Sequence, residues 1–228
     1  MVTHAAWDGV PGLRHGFLQR AECTAEPWDD VVARAGVAFP VVTVRQVHGV
    51  DVVVADRPAA PNAERPMGDA VVTAASGVLV GVVTADCVPV LLVEPRRRIA
   101  AAVHAGWRGA AAGVVEAAIA RMRERFGVEP SALDAAIGPA VGPCCYAVGE
   151  DVRIAFRTRT GDVTGAAWRE DAGVLRVDLR RAVQLLLAAA GVRAATSVGP
   201  CTACDGRFSS YRRDGANAGR QLSFVGWA

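Results

Sequence analysis

The chain contains no lysine: all 25 of its basic residues are arginine. Ala, Gly and Val are abundant alongside, which reads as codon bias in a GC-rich genome, but the absence also excludes mechanisms built on a lysine Schiff base or a lysine nucleophile. Histidine is scarce, with four in total. No uncharged apolar run reaches the roughly 18 residues of a membrane span. Asp8 lies near the start with no apolar run before it, so no secretory signal is read there and a soluble cytoplasmic protein with no membrane partner is expected. Charge of one sign is not in excess either. A formal net charge of +2 offers no basic face, so nucleic acid is not an expected partner.

What is present is core-forming material: 228 residues, 52% of them hydrophobic, enough for one domain spanning residues 1–228, as a monomer or homodimer. Six cysteines in a reducing compartment point to thiols or ligands rather than a disulfide framework. The adjacent pair Cys144-Cys145 is poor geometry for a mutual disulfide.

Between Val41 and Val103 short β-branched runs, Val41-Val47, Val50-Val54, Ala70-Thr73, Val78-Thr84, Val90-Val93 and Ile99-Val103, are punctuated by Gly, Pro and Asp and read as strands. Two segments have helical periodicity instead. Val115, Ile119, Met122 and Phe126 share a face that stops at Gly127, and Leu179, Val183, Leu186 and Ala190 do so between a capping Asp178 and Gly191. Such a mixture predicts an α+β fold, a layered α/β sandwich in which helices flank mixed β-sheets. Arg57 to Gly68 and Arg159 to Asp171 are the candidate surface loops.

Three metal-ligating types fall at predicted strand ends. His48 precedes Gly49, which permits a tight turn; Cys87 follows Asp86 directly after the run Val78-Thr84; His104 closes the run Ile99-Val103. Two His and one Cys make a good set for Zn²⁺, and three protein ligands leave a fourth position for water, whose pKa then falls near 7. Spacing alone favours the plainer reading, three isolated residues hydrogen-bonded at strand ends. The stretch Gly106-Trp107-Arg108-Gly109 opens a predicted helix and reads either as an anion site or as close strand–helix packing. Arg45, Arg212 and Arg213 are candidate phosphate clamps. Cys201-Thr-Ala-Cys204 reads as buried thiols, with a redox pair or a structural zinc site shared with Cys144 and Cys145 as alternatives.

The ordered motifs Gln46-Val47-His48-Gly49, Gly68-Asp69-Ala70, Thr84-Ala85-Asp86-Cys87-Val88-Pro89, His104-Ala105-Gly106-Trp107-Arg108-Gly109, Ile137-Gly138-Pro139 with Cys144-Cys145-Tyr146, and Phe208-Ser209-Ser210-Tyr211-Arg212-Arg213 with Gly219-Arg220 resemble the laccase-domain family, also labelled multicopper polyphenol oxidase and purine nucleoside phosphorylase. The likeness runs from about His15 to the C-terminus. It implies a zinc site of His48, Cys87 and His104 and a phosphorylase that cleaves purine nucleosides with phosphate, with adenosine deaminase and methylthioadenosine phosphorylase activity. Beside that site, proximity to the motifs makes Asp86 a catalytic candidate that either tunes a ligand or acts as a general acid/base, and makes Arg45, Gln46, Arg108 and Arg212 candidates for binding substrate. Two alternatives stand beside it: an amidase editing a wrong amino acid in a peptidoglycan precursor, and a non-catalytic metal-dependent nucleotide or redox sensor. The chain departs from the family pattern in a short Cys23 to Gly36 segment and in Ala147 where Glu is usual. Copper is reachable in vitro at the same three ligands, but a laccase's type 1 and trinuclear coppers need about ten histidines, against four here.

Overall fold

The computed structural model describes residues 1–23, 27–60 and 63–228, and two β-sheets stacked face to face form its centre. The smaller has four strands in the order β1 (Leu13–Phe17), β12 (Gln221–Trp227), β5 (Val78–Thr84) and β2 (Val41–Val42). The larger has six, in the order β11 (Ala194–Ser197), β8 (Asp134–Ile137), β6 (Val88–Glu94), β7 (Ile99–Ala105), β4 (Ala70–Thr73) and β3 (Val52–Val54). Both are mixed: β2 runs parallel to β5, β3 to β4 and β11 to β8, while the other pairings are antiparallel. A separate hairpin joins β9 (Trp168–Asp171) and β10 (Val174–Val177).

Alternation along the strands assigns each face. On β7, Ala100 and Ala102 face the inter-sheet core with Val80, Val82, Val225 and Trp227. Ile99, Ala101, Val103 and Ala105 point the other way, into a core shared with helices α2 (Trp107–Ala112), α3 (Val114–Phe126), α4 (Glu150–Thr160) and α5 (Leu179–Ala189). Every residue of β6 and β7 is buried, which is why these strands read as unbroken apolar runs rather than as alternating ones. On the outer face of the smaller sheet, α1 (Trp28–Arg34) places Val31 and Val32 against Val41, Leu79, Leu222 and Phe224. The layers therefore run helix, sheet, sheet, helices, the predicted layered α/β sandwich. A last short helix, α6 (Tyr211–Asp214), is capped by the Ser210 hydroxyl.

Several expectations need correction. The run Val41-Val47 stays in the sheet only through Val42, because the chain then leaves β5 and is held by side chains. Arg159 to Asp171 is not a loop throughout: α4 extends to Thr160 and residues 168–171 form β9. α5 does start on Asp178, whose carboxylate accepts the Arg181 amide. Within Cys23 to Gly36, residues 24–26 lie outside the described part and the remainder is mainly α1; residues 61–62 of the Arg57 to Gly68 loop are likewise outside it. No described helix is long and apolar enough to cross a membrane.

Candidate metal centre and cavity

At one end of the two sheets the chain crosses from β5 to β6 in three residues, Ala85-Asp86-Cys87, and this link carries Cys87 to the mouth of the sandwich. Asp86 adopts φ +86 there. Its carboxylate ties the link down, accepting the Thr202 hydroxyl at 2.6 Å and the Arg212 amide at 2.5 Å. Both oxygens thus accept hydrogen bonds that anchor the link.

Asp69, fully buried just before β4, organises the other two members. It accepts the backbone amides of Val47 at 3.2 Å, His48 at 2.9 Å and Gly49 at 2.7 Å. Those bonds hold the 47–49 turn with His48 itself at φ +61, so the strained residue is the histidine and not, as expected, the glycine after it. Asp69 also sits 2.8 Å from His104 Nδ1. His104 is inside β7 rather than at its end, and with Nδ1 engaged its Nε2 is the nitrogen left for the cavity. Gln46 completes the support: its side chain donates to the Val83 carbonyl and accepts the Val83 amide, both at 2.7 Å, continuing the β2–β5 pairing.

The ligand atoms of His48, Cys87 and His104 lie within 4.8 Å of one another, with Cys87 Sγ 3.8 Å from His48 Nε2. The imidazole rings of His48 and His104 stand edge to face at 4.8 Å. Gly106 is the floor of this cluster. A Cβ there would lie 2.8 Å from His48 Cδ2 and 3.1 Å from Cys87 Sγ, so any side chain would push into the donor set. Three soft or borderline donors converging above such a floor, one of them oriented by a buried carboxylate, fit a transition-metal ion.

The electrostatics are those of a charge-separated cluster. Burial pushes the Cys87 thiol up, but the His104 and His48 imidazoles outweigh it and bring it down to about 6. Burial pulls His104 down, and Asp69 together with Cys87 reverses this and raises it to about 9. Asp69 is driven up by burial and below its usual value, on balance, by the His104 bond and the turn amides.

A cavity of about 770 Å³ opens over the cluster. His48, Cys87 and His104 form part of its lining, with Asp86, Gln46, Arg108 and Arg212 among the sequence candidates. Arg45 is not brought in: it faces a neighbouring depression. Arg213 is not brought in either, since its guanidinium donates to the carbonyls of Thr202 at 2.9 Å and Phe208 at 2.8 Å and to Asp214. Sequence reasoning gave no role to Asp69, Trp107, Tyr146 or Arg220, of which the last three line the cavity. Arg108 lies over the Trp107 ring at 4.4 Å and Arg212 over the Tyr146 ring at 5.2 Å. Tyr146 is half-buried and pushed to about 12, mainly by burial and then by the charge of Cys87, so its hydroxyl keeps its proton. The buried-thiol reading of the other motif also fails: Cys144 and Cys204 are exposed, Cys145 and Cys201 are half-buried, and the four stand together.

The family described as multi-copper polyphenol oxidoreductase laccase matches residues 19–228. The chain belongs to that family. It is 42% identical over 230 residues to the purine nucleoside phosphorylase SCO2081 of Streptomyces coelicolor, covering 96% of this chain and 91% of that one. It is 44% identical over 186 residues to the purine nucleoside phosphorylase ORF3 of Streptomyces griseus, covering 81% and 73%. A protein named adenosine deaminase RL5, from an unknown prokaryotic organism, is 38% identical over 161 residues, covering 69% and 61%. The crystal structure of YlmD from Geobacillus stearothermophilus superposes with a TM-score of 0.83 at 31% identity, covering 96% of this chain and 93% of that one. These likenesses give the chain the fold of the family, and its His48, Cys87 and His104 form a cluster that could hold a metal ion.

Proposed function

We propose that the protein is a zinc-dependent, cytoplasmic purine nucleoside phosphorylase that also deaminates adenosine and phosphorolyses methylthioadenosine. The observation that carries this reading is the shared cavity: the His48–Cys87–His104 cluster is in one wall, and two aromatic rings with arginines lying on them, Trp107–Arg108 and Tyr146–Arg212, are in the others. The relatives named purine nucleoside phosphorylase and adenosine deaminase support it, and six free thiols suit a reducing compartment.

His48, Cys87 and His104 hold the metal, which when bound supplies a Lewis acid and a water of lowered pKa. Trp107 and Tyr146 offer apolar faces to the purine ring. Arg108 and Arg212, with Arg220 nearby, bring positive charge to phosphate, and the guanidinium fork suits its oxygens. In phosphorolysis a phosphate oxygen bonds to ribose C1′ as the glycosidic bond breaks, and its electron pair leaves with the base, which must be protonated. The Tyr146 hydroxyl lines the cavity and keeps its proton, so it is available to hydrogen-bond the departing base. Asp86 and Gln46 act as positioning residues, holding Cys87, Arg212 and the His48 turn in place.

Metal-loaded protein incubated with inosine and phosphate should yield hypoxanthine and ribose 1-phosphate, and with adenosine both inosine and adenine, followed by chromatography. Cys87→Ala should abolish these products. If the loaded protein releases neither free base nor inosine, or instead cleaves only a muramoyl–amino acid amide, the nucleoside reading is wrong.

A further inference from the structure

We propose that Cys144, Cys145, Cys201 and Cys204 form a second metal site, one that takes a thiolate-preferring divalent cation of the zinc class and clamps the turn that precedes Tyr146 to the turn over residues 201–204. The four sulfurs lie within 4.8 Å of one another, with Cys144 to Cys204 at 3.6 Å and Cys145 to Cys204 at 3.3 Å. Four sulfurs each about 2.3 Å from one centre form a tetrahedron whose edges are about 3.8 Å, so the spacing is that of a four-thiolate cage. Cys204 faces both members of the adjacent pair at similar distances, which singles out no disulfide. A four-sulfur cage uses all four thiols.

The backbone is arranged around this cluster. Cys144 and Cys145 lie in a turn in which the Cys145 amide bonds the Gly142 carbonyl at 3.0 Å. Cys201 to Cys204 is a second turn, tied to the first strand-like segment by the Ala140–Cys201 bridge and by the Thr202 amide on the Ala140 carbonyl at 3.0 Å. The Cys201 sulfur accepts the Gly142 amide at 3.1 Å and is also bonded by the amides of Ala203 and Cys204, donors that favour a thiolate. A side chain at Gly142 would crowd the cluster: its Cβ would stand 3.1 Å from Cys201 Cβ and 3.4 Å from the sulfurs of Cys144 and Cys201. Arg176, bonded to the Cys144 carbonyl at 3.1 Å, brings a cation beside the negative charge such a cage carries.

With all four coordination positions taken by protein, the site has no place for substrate and is structural. Its effect on the cavity is through neighbours. Tyr146 follows Cys145 directly, and Thr202, inside the second turn, holds Asp86 and with it the Cys87 link and the Arg212 amide. Uptake of the cation by four thiols releases their protons and forms four metal–sulfur bonds, with no change of oxidation state.

The test uses the full chain carrying Cys87→Ala, which removes the His48 cluster from the count and makes the readout independent of nucleoside turnover. Loaded anaerobically with Co²⁺ and desalted, this protein should retain one Co²⁺ per chain, with intense sulfur-to-metal charge-transfer absorption and tetrahedral d–d bands that Zn²⁺ abolishes. Adding Cys201→Ser and Cys204→Ser should remove both the metal and the bands. Independently of any variant that fails to fold, Zn²⁺-loaded unmutated protein should show the four cysteines at least tenfold less reactive to iodoacetamide, by peptide mapping, than after chelation. No retained Co²⁺, four thiols equally reactive with and without Zn²⁺, or a disulfide among them in anaerobically purified protein would each overturn the proposal.

Discussion

His104 offers a single nitrogen to the cavity because Asp69 holds the other, and that arrangement fixes both the affinity of the site and its pH dependence. Asp69→Asn preserves the shape but removes the charge that orients His104 and gathers three turn amides. Metal affinity should fall roughly 10- to 100-fold, measured by competition with a chromophoric chelator on protein shown by circular dichroism to be folded. The His104 pKa of the metal-free protein, about 9, lies above its ordinary value of 6.5. Its protonated form therefore stabilises the metal-free fold fully below about pH 6.5, and that contribution disappears as pH rises through about 9. Metal must displace the Nε2 proton, whereas Cys87, at about 6, is already thiolate over most of this range. Affinity at the His48 cluster should accordingly climb about tenfold per pH unit between 7 and 9 from His104 alone and then flatten. Calorimetry in buffers of different ionisation enthalpy should find His104 releasing about one proton per metal at pH 7.5; in Cys201→Ser/Cys204→Ser protein the second cluster does not contribute.

At the scale of elements, the short β5–β6 link and the 43–49 segment are held by side chains acting as backbone. The Asp86 carboxylate bonds Thr202 and Arg212, and the Gln46 amide bonds Val83 at both ends. Asp86→Asn leaves one of its two donors, the buried Thr202 hydroxyl or the part-buried Arg212 amide, without its charged acceptor and should cost about 1.5–3 kcal/mol of stability. KM for phosphate should rise as Arg212 drifts, while the limbs of the kcat pH profile stay where they were; loss of a limb would make Asp86 a proton-transfer group instead. Such contacts were not legible in the sequence, because nothing in a spacing says whether a polar side chain is aimed at substrate or at a strand. The same limit explains the elements that sequence reading passed over. β12 reads Gln-Leu-Ser-Phe-Val-Gly-Trp, and its Gln221 and Ser223 are buried although polar, which hides the strand's two-sided burial. α4 fully buries only Val152 and Phe156 and leaves Ile154 exposed, too thin and too irregular an apolar stripe to stand out. β4 to β7, α3 and α5 were legible because each buries a long, strongly periodic or continuous apolar face. His48, Cys87 and His104 could be singled out by residue type and motif, but Asp69 could not. The available signal was a lone carboxylate directly before the apolar run Ala70–Thr73, where burial demands partners.

Over the whole molecule, chemistry and stability are kept at opposite ends of the same strands. β5 ends at Thr84 beside the Cys87 link and begins at Val78, which pairs with Trp227 at the far end of β12. Seven strand residues at about 3.4 Å each set these ends roughly 20 Å apart. β12 lies between β1 and β5, so the last strand of the chain completes the middle of the smaller sheet, and Trp227 fills the space between the sheets with 1% of its surface exposed. Trp227→Ala should therefore destabilise the fold by about 3–5 kcal/mol through the cavity it opens, read from the denaturant midpoint at unchanged slope. Trp227→Phe, which keeps an aromatic ring and opens a smaller cavity, should cost less. The indole nitrogen is buried with no hydrogen-bond partner among the described residues, so part of the lost packing is offset by removing an unsatisfied donor. Below their melting temperatures both variants should retain the metal content and nucleoside turnover of the parent chain. A fall in metal affinity in Trp227→Phe would show instead that the inter-sheet core transmits strain along β5 to the Cys87 link, and that the two ends of the sandwich are coupled.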